Sequence, residues 1–246
     1  AAAQLMPTSA EVFGKKFPSL DNRATADWWK RSPDPNAKAN KRNRLKINLE
    51  VPREEVIGFA VYTLQNKTLK LTAQLFPLKP DETQEVRLEV KDGDAWKEIA
   101  KEKIVYPGWS AHFRIKNWDA TKDTPYRLRH AGKATFEGLV RKDPKDQDTI
   151  TVGNLSCNSS RTTGPRPVIL KNLIKQNPDV LFFAGAPTYN HPQHTYGRLE
   201  FRLQFRAIIR HRPTITIPAH HAAGQAPLWR DDGLTAPPPP FPSSAL

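Results

Sequence analysis

The sequence predicts two folded parts of different class, an antiparallel β-sandwich followed by a parallel α/β unit. From Leu45 onward, apolar and polar residues alternate with a period of two, which is typical of half-buried strands. After Asp143-Pro144, short apolar runs alternate with segments of helical spacing, which is typical of a parallel sheet. Proline outnumbers glycine by 23 to 12, so few long helices are expected.

These changes of pattern divide the 246 residues into four segments. We expect an N-terminal extension and linker at 1–44, the sandwich at 45–145 and the α/β domain at 146–233. Residues 234–246 include four consecutive prolines and no core-forming pattern, so they are expected to be a disordered tail. The α/β part ends before a complete domain would, and we interpret it as truncated.

Each part has its own series of elements. Turn signals such as Asp92-Gly93-Asp94 separate the alternating strands, and no helix falls between them, which favours a sandwich of immunoglobulin or fibronectin type. The predicted strands of the sandwich are Leu45–Val51, Val56–Leu64, Thr68–Pro77, Thr83–Val90, Trp96–Ile104, Ser110–Ile115, Tyr126–Arg129 and Lys133–Val140. The α/β order is strand Asp148–Leu155, helix Pro165–Gln176, strand Val180–Ala184, helix Tyr196–Arg210 and strand Thr214–Ile217.

The composition limits the classes of function. A net charge of +13 indicates an anionic partner such as a phosphate ester, a nucleic acid or a charged envelope polymer. Residues 151–246 carry ten Lys and Arg against four Asp and Glu, so this half is basic because carboxylates are scarce. A single cysteine excludes an internal disulfide framework. No apolar run approaches the ~18 residues of a transmembrane helix.

The first residues, Ala1-Ala2-Ala3-Gln4, lack an initiator Met. Small residues of this kind are typical of the mature end that a signal peptidase leaves, and a fragment boundary is the alternative. We therefore expect an exported protein, periplasmic or extracellular.

Candidate ligands follow the three strands of the parallel sheet, where α/β proteins bind their ligands. The lone cysteine is in Ser156-Cys157-Asn158, and histidines follow the next two strands, among them His191, His194 and His221. Cysteine and histidine together suggest a transition metal. Cys157 as a small buried apolar residue, and histidines that are simply solvated, are the alternatives. A site of His191, His194 and His221 alone is a further possibility.

These strand ends resemble the PhoD-like, or alkaline phosphatase D, family of metallophosphatases. The resemblance covers about residues 45–233. It is carried by the domain order and by three motifs in sequence: Leu155-Ser156-Cys157, Phe182-Phe183-Ala184-Gly185 with Tyr189, and Thr214–Pro218 followed by His221. It implies an α/β domain of the metallophosphoesterase type and hydrolysis of phosphate mono- or diesters at an iron and calcium centre. It also implies that Cys157 and Tyr189 are metal ligands, and that His221 is catalytic, as a ligand or as a contact to the transition state.

The chain departs from the family at the acidic positions. Ala186 stands where the family has a bridging Asp, Ala219 and His220 replace its paired Asp, and Ala222 follows. Because calcium needs several oxygen ligands, we expect this chain to be inactive or impaired. Either a corrupted copy of a working enzyme or a true pseudoenzyme would explain these residues. The alternative function is a basic β-sandwich module that binds anionic envelope polymers or nucleic acid.

Overall fold

The computed structural model describes residues 51–79, 81–105, 108–158, 166–185, 199 and 201–217. The N-terminal extension, most of the first predicted strand and the Pro-rich tail lie outside the described residues. Within these ranges, no helix combines the length and the apolar character needed to cross a bilayer. Because residues 1–50 and 218–246 lie outside the described ranges, the limits of the four predicted segments stay predictions.

The first part is made of two antiparallel sheets, as the alternating pattern predicts. One sheet has the order β1-β2-β5 and the other β4-β3-β6-β7. The strands are β1 (Ile57–Gln65), β2 (Thr68–Leu75), β3 (Glu85–Asp92), β4 (Ala95–Lys103), β5 (Ser110–Ile115), β6 (Thr124–His130) and β7 (Ala134–Val140). Seven of the eight predicted strands thus lie where the sequence places them, with ends that differ by one or two residues.

Both antiparallel sheets bury one face. On β2, the inward residues Leu69, Leu71, Ala73 and Leu75 alternate with more exposed neighbours. The β6 strand buries Tyr126, Leu128 and His130 in the same alternating way. Apolar residues of both sheets belong to one hydrophobic cluster, which explains the period of two in strands such as β2 and β6.

The second part is a three-stranded parallel sheet, as predicted, and the order of its strands is β10-β9-β8. Its elements are β8 (Val152–Leu155), α1 (Pro167–Gln176), β9 (Val180–Ala184), α2 (Arg206–Ile209) and β10 (Thr214–Ile217). Leu199 and residues 201–204 are helical as well, so we call residues 199 and 201–209 the α2 segment. The β8 strand is four residues shorter than predicted, because residues 148–151 are exposed and the ladder with β9 begins at Val152.

The two parts meet at the end of the α2 segment. Tyr126 Oη donates a hydrogen bond of 3.2 Å to the carbonyl oxygen of Arg210, and the backbone N–H of Leu139 donates to the same oxygen at 3.1 Å. The Arg210 guanidinium lies 4.3 Å from the centre of the Phe136 ring. Only glycine fits at position 138, since a Cβ there would lie 2.4 Å from the Arg210 oxygen. The antiparallel part and the α/β part are therefore packed closely together.

Candidate functional site

A cavity of about 220 Å³ lies at the carboxyl ends of β8 and β9. This is the edge at which the crossover connections of a parallel sheet leave room for a ligand. The described residues that line it are Leu155, Ser156, Cys157, Asn158, Arg166, Ile169, Phe183, Gly185, Phe201 and Phe205. They come from the turn after β8, the first turn of α1, the end of β9 and the α2 segment.

Cys157 lies at the rim of this cavity with a left-handed backbone. Its φ is 56°, a conformation that costs a non-glycine residue of the order of 1 kcal/mol or more. Its side chain is an exposed free thiol. The alternative interpretation of Cys157 as a small buried residue is therefore wrong, and the strand end presents its thiol to the cavity.

A polar network holds the next residue in place. Asn158 Nδ2 donates to Gln204 Oε1 at 2.8 Å, and Arg166 Nε donates to Asn158 Oδ1 at 3.2 Å. Gln204 is only 4% exposed, so its side-chain amide has little room to move within the α2 segment. The network joins three separate elements and places the guanidinium of Arg166 at the cavity wall.

The floor of the cavity is aromatic. The Phe183 ring lies edge-on to Phe201 at 4.6 Å between centroids and to Phe205 at 5.4 Å. The Phe201 and Phe205 rings are 5.5 Å apart, so the three form one packed cluster. Ile169, on the first turn of α1, is 41% exposed and extends the apolar surface to the rim.

The described lining is cationic overall. Arg166 is its only charged residue, and it includes no Asp or Glu. The α1 helix begins at Pro167, directly beside Arg166, so the positive end of its dipole adds to the same field. This part of the cavity favours an anion.

The structure locates one of the three predicted site residues. Cys157 lines the cavity, whereas Tyr189 and His221 lie outside the described residues. The same holds for His191 and His194, and for the four departures from the family pattern, Ala186, Ala219, His220 and Ala222. Whether the thiol, the phenol and the imidazole come together therefore stays a prediction.

The described residues alone do not fit the iron and calcium centre that the resemblance implies. No cluster of three His, Cys, Asp or Glu occurs among them. At the cavity they offer one thiol, one amide and one hydroxyl, whereas Ca²⁺ takes six to eight oxygen ligands. We therefore derive no catalytic step that passes through a metal.

Sequence reasoning missed several residues of the site. It named Asn158 without a role, quoted Phe183 only as part of a strand-end motif, and did not single out Arg166, Gln204, Phe201 or Phe205. The one available signal for Arg166 was its place just before Pro167, at a predicted helix start beyond a strand end. Gln204 and the rings were recognisable only as helix or strand positions, because their partners come from other elements.

One comparison with known proteins, the search of solved structures, bears on the fold. No family model matches the chain, and no curated protein matches it in sequence. Among solved structures, PhoD matches with a TM-score of 0.53 over 67% of this chain, at 14% identity. The chain shares its fold with PhoD. The match covers 38% of PhoD, so the activity of that whole protein does not transfer directly. A purple acid phosphatase from yellow lupin (Lupinus luteus) seeds matches at a TM-score of 0.46 and 16% identity, over 66% of this chain and 35% of that one.

Proposed function

We propose that this chain is a phosphate-ester hydrolase of the PhoD-like kind whose hydrolysis is impaired and whose binding of the ester persists. The observation that carries the proposal is the position of the cavity, at the carboxyl edge of a parallel sheet with the PhoD fold. The described part of the lining is cationic and contains no carboxylate, which suits the phosphate group.

The impairment follows from the residues at the matched acidic positions. In the PhoD-like resemblance, iron and calcium would polarise the phosphoryl group and supply a nucleophilic hydroxide from bound water. Cys157, Tyr189 and His221 are the residues that would contribute to that centre. Ala186 and Ala219 provide no oxygen ligand, so the metals would be held weakly.

The chain's own residues still perform the binding step. A guanidinium pairs with phosphate through charge-assisted hydrogen bonds, and Arg166 is oriented for this by its bond to Asn158. The buried amide of Gln204 keeps Asn158 from rotating away. The thiol of Cys157 lies at the same rim, where it could contact a phosphate oxygen or a bound metal.

The test is restoration of the acidic residues in the full chain. The double variant Ala186→Asp/Ala219→Asp is assayed with p-nitrophenyl phosphate and bis-p-nitrophenyl phosphate, with iron and calcium added or chelated. We expect a metal-dependent rate at least about tenfold above that of the unmodified chain, a change of about 1.4 kcal/mol in the barrier. Adding Cys157→Ala to the double variant should remove the gain.

Ala95→Asp is the matched control, because it adds a carboxylate at an exposed position of the β3–β4 hairpin. It should leave the rate unchanged. A folded double variant that binds both metals and hydrolyses neither ester would contradict the proposal.

A second candidate is a binding module for anionic polymers, favoured by the net charge of +13. In this proposal the two antiparallel sheets form a sandwich of immunoglobulin or fibronectin type, and its basic surface captures envelope polymer or nucleic acid. Substituting Cys157 would then have no effect.

A further inference from the structure

We infer that Arg202 and Arg206 of the α2 segment bind one small tetrahedral oxyanion with two charges, such as sulfate, where the antiparallel part meets the α/β part. This site is separate from the cavity at the strand ends, since neither arginine is among the described residues that line that cavity. The inference goes beyond the proposed function and does not depend on it.

The two arginines belong to a row of three along the α2 segment. Arg202, Arg206 and Arg210 are four residues apart, a spacing that places side chains on the same side of a helix. The segment crosses β1 closely, because a Cβ at Gly58 would lie 3.4 Å from Leu203 Cδ2. At its other end, the Arg210 carbonyl oxygen accepts hydrogen bonds from β6 and β7. The row therefore runs along the junction between the two parts.

Aromatic rings support the guanidinium groups of this row. The Arg202 guanidinium lies 5.7 Å from the centre of the Phe59 ring, and that of Arg206 lies 5.6 Å from the centre of the Phe136 ring. Both rings are buried in the core, so they hold the arginines and do not contact a ligand themselves. A ring attracts a cation through its face but offers no oxygen to the five N–H donors of a guanidinium.

The charge of Arg202 has no counter-ion in the part of the chain that the structure describes. Its side chain is partly buried and forms no ion pair or hydrogen bond there, and burial lowers its pKa. Burial also lowers the pKa of Arg206, which the exposed Glu55 offsets only in part and without an ion pair. Because a partly buried cation without a partner is costly, an anion that binds both arginines stabilises the folded chain.

Two neighbouring guanidinium groups favour an oxyanion over a halide ion. Each guanidinium is a planar fork of N–H donors, and an ion with four oxygens can accept from both forks at once. Its two negative charges match the two positive charges of the arginines. Since both side chains are only partly exposed, a small free ion reaches them more easily than a sulfated polymer does.

The experiment is thermal unfolding of the full chain in sodium sulfate at about 10 mM, compared with sodium chloride of equal ionic strength. We expect sulfate to raise the Tm by about 3 °C or more beyond the effect of chloride, because an ion that binds only the folded chain stabilises it by mass action. Dextran sulfate at the same concentration of sulfate groups tests the polymer, and we expect a smaller rise.

Variants assign the effect to the two arginines. Arg202→Gln and Arg206→Gln should each remove most of the rise, whereas Arg114→Gln, at an exposed arginine of β5, should keep it. Arg202→Lys retains the charge but not the fork, so it should also lose most of the rise. Without sulfate, Arg202→Met should unfold at the same temperature as the unmodified chain or at a higher one, because it removes an unpaired charge.

Three results would overturn the inference: equal shifts with sulfate and chloride, a sulfate response that Arg202→Gln and Arg114→Gln keep alike, or a larger rise with dextran sulfate than with free sulfate. So would an Arg202→Met variant that is clearly less stable than the unmodified chain without sulfate. None of these results concerns an ester at the strand ends, so the proposed function would stand.

Discussion

At the scale of single residues, the site depends on a hydrogen-bonded chain of polar side chains. Asn158 accepts from Arg166 and donates to Gln204, and it belongs to neither of their elements. Gln204 is buried in the α2 segment, where an amide that loses its partner cannot turn to bulk water. The stability of this region and the orientation of Arg166 are therefore linked.

Asn158→Ala tests this link. We expect the free energy of unfolding to fall by about 1–3 kcal/mol, because the side-chain oxygen Oε1 of Gln204 stays buried and loses the Asn158 amide that donates to it. Urea unfolding measures the change, and Asn154→Ala, at an exposed position on β8, is the control. Replacing Gln204 by Leu as well should recover part of the loss. Equal effects of the two alanine variants would show that the network does not carry this energy.

His130 predicts a pH dependence of stability. Burial lowers its pKa, an effect that a 2.7 Å hydrogen bond between Nε2 and the Thr83 carbonyl and the nearby Glu82 only partly offset. Since the folded pKa lies below the unfolded value of about 6.5, the unfolded chain binds the proton more readily. Stability is thus fully present above that value and falls as the pH drops through it.

Thermal unfolding at about pH 7.5 and about pH 5 checks this. His130→Asn should reduce the loss on acidification without abolishing it, because burial and the neighbours Arg210 and Arg212 also lower the pKa of His211. An identical pH dependence in unmodified protein and His130→Asn would refute the assignment.

At the scale of elements, the close contact between β7 and the end of the α2 segment requires a glycine at position 138. Gly138→Ala would place a Cβ 2.4 Å from the Arg210 oxygen and 2.5 Å from the Tyr126 ring, so the backbone must shift. We expect a loss of about 3 kcal/mol, at the upper end for overpacking. Gly108→Ala is the control, since its nearest neighbour would lie at 3.5 Å. Similar unfolding midpoints for the two variants would show that this contact is loose.

The elements were predictable from sequence to different degrees. The period of two located β1 to β7. It is clearest in β2 and β7, which alternate buried and more exposed residues along their whole length, whereas β1 begins with four buried residues and β4 has none. The order of β8, α1, β9 and β10 followed from alternating apolar runs, and a parallel sheet was the expected result. The predicted start of β8 at Asp148 was wrong, because residues 148–151 are exposed and lie before the first strand residue, Val152.

The site was less predictable than the fold. Cys157 was identified because it directly follows a strand end, a position that sequence order alone defines. Arg166, Gln204 and Phe201 meet only after α1 and the α2 segment have packed on the sheet. No local pattern marks such a meeting, so the cationic wall and the aromatic floor appeared only in the structure.

At the scale of the whole molecule, charge separates the two candidate functions. If the net charge of +13 serves to capture polymer, binding to a polyanion such as heparin should weaken steeply with added salt, because released counterions drive it. Arg166→Gln would change such binding no more than Lys171→Gln does. If the cavity is the functional site, phenyl phosphate should bind with a much smaller salt dependence, since one dianion makes few ionic contacts. Titrations at about 50 mM and 200 mM salt distinguish these cases.

The most direct test of the central claim is a crystal structure of the chain with phenylphosphonate, a phosphate-ester analogue that cannot be hydrolysed. The account predicts the phosphonate in the cavity at the carboxyl ends of β8 and β9, beside Cys157 and Asn158. A ligand bound on the antiparallel sheets, with the cavity at the carboxyl edge left empty, would contradict it.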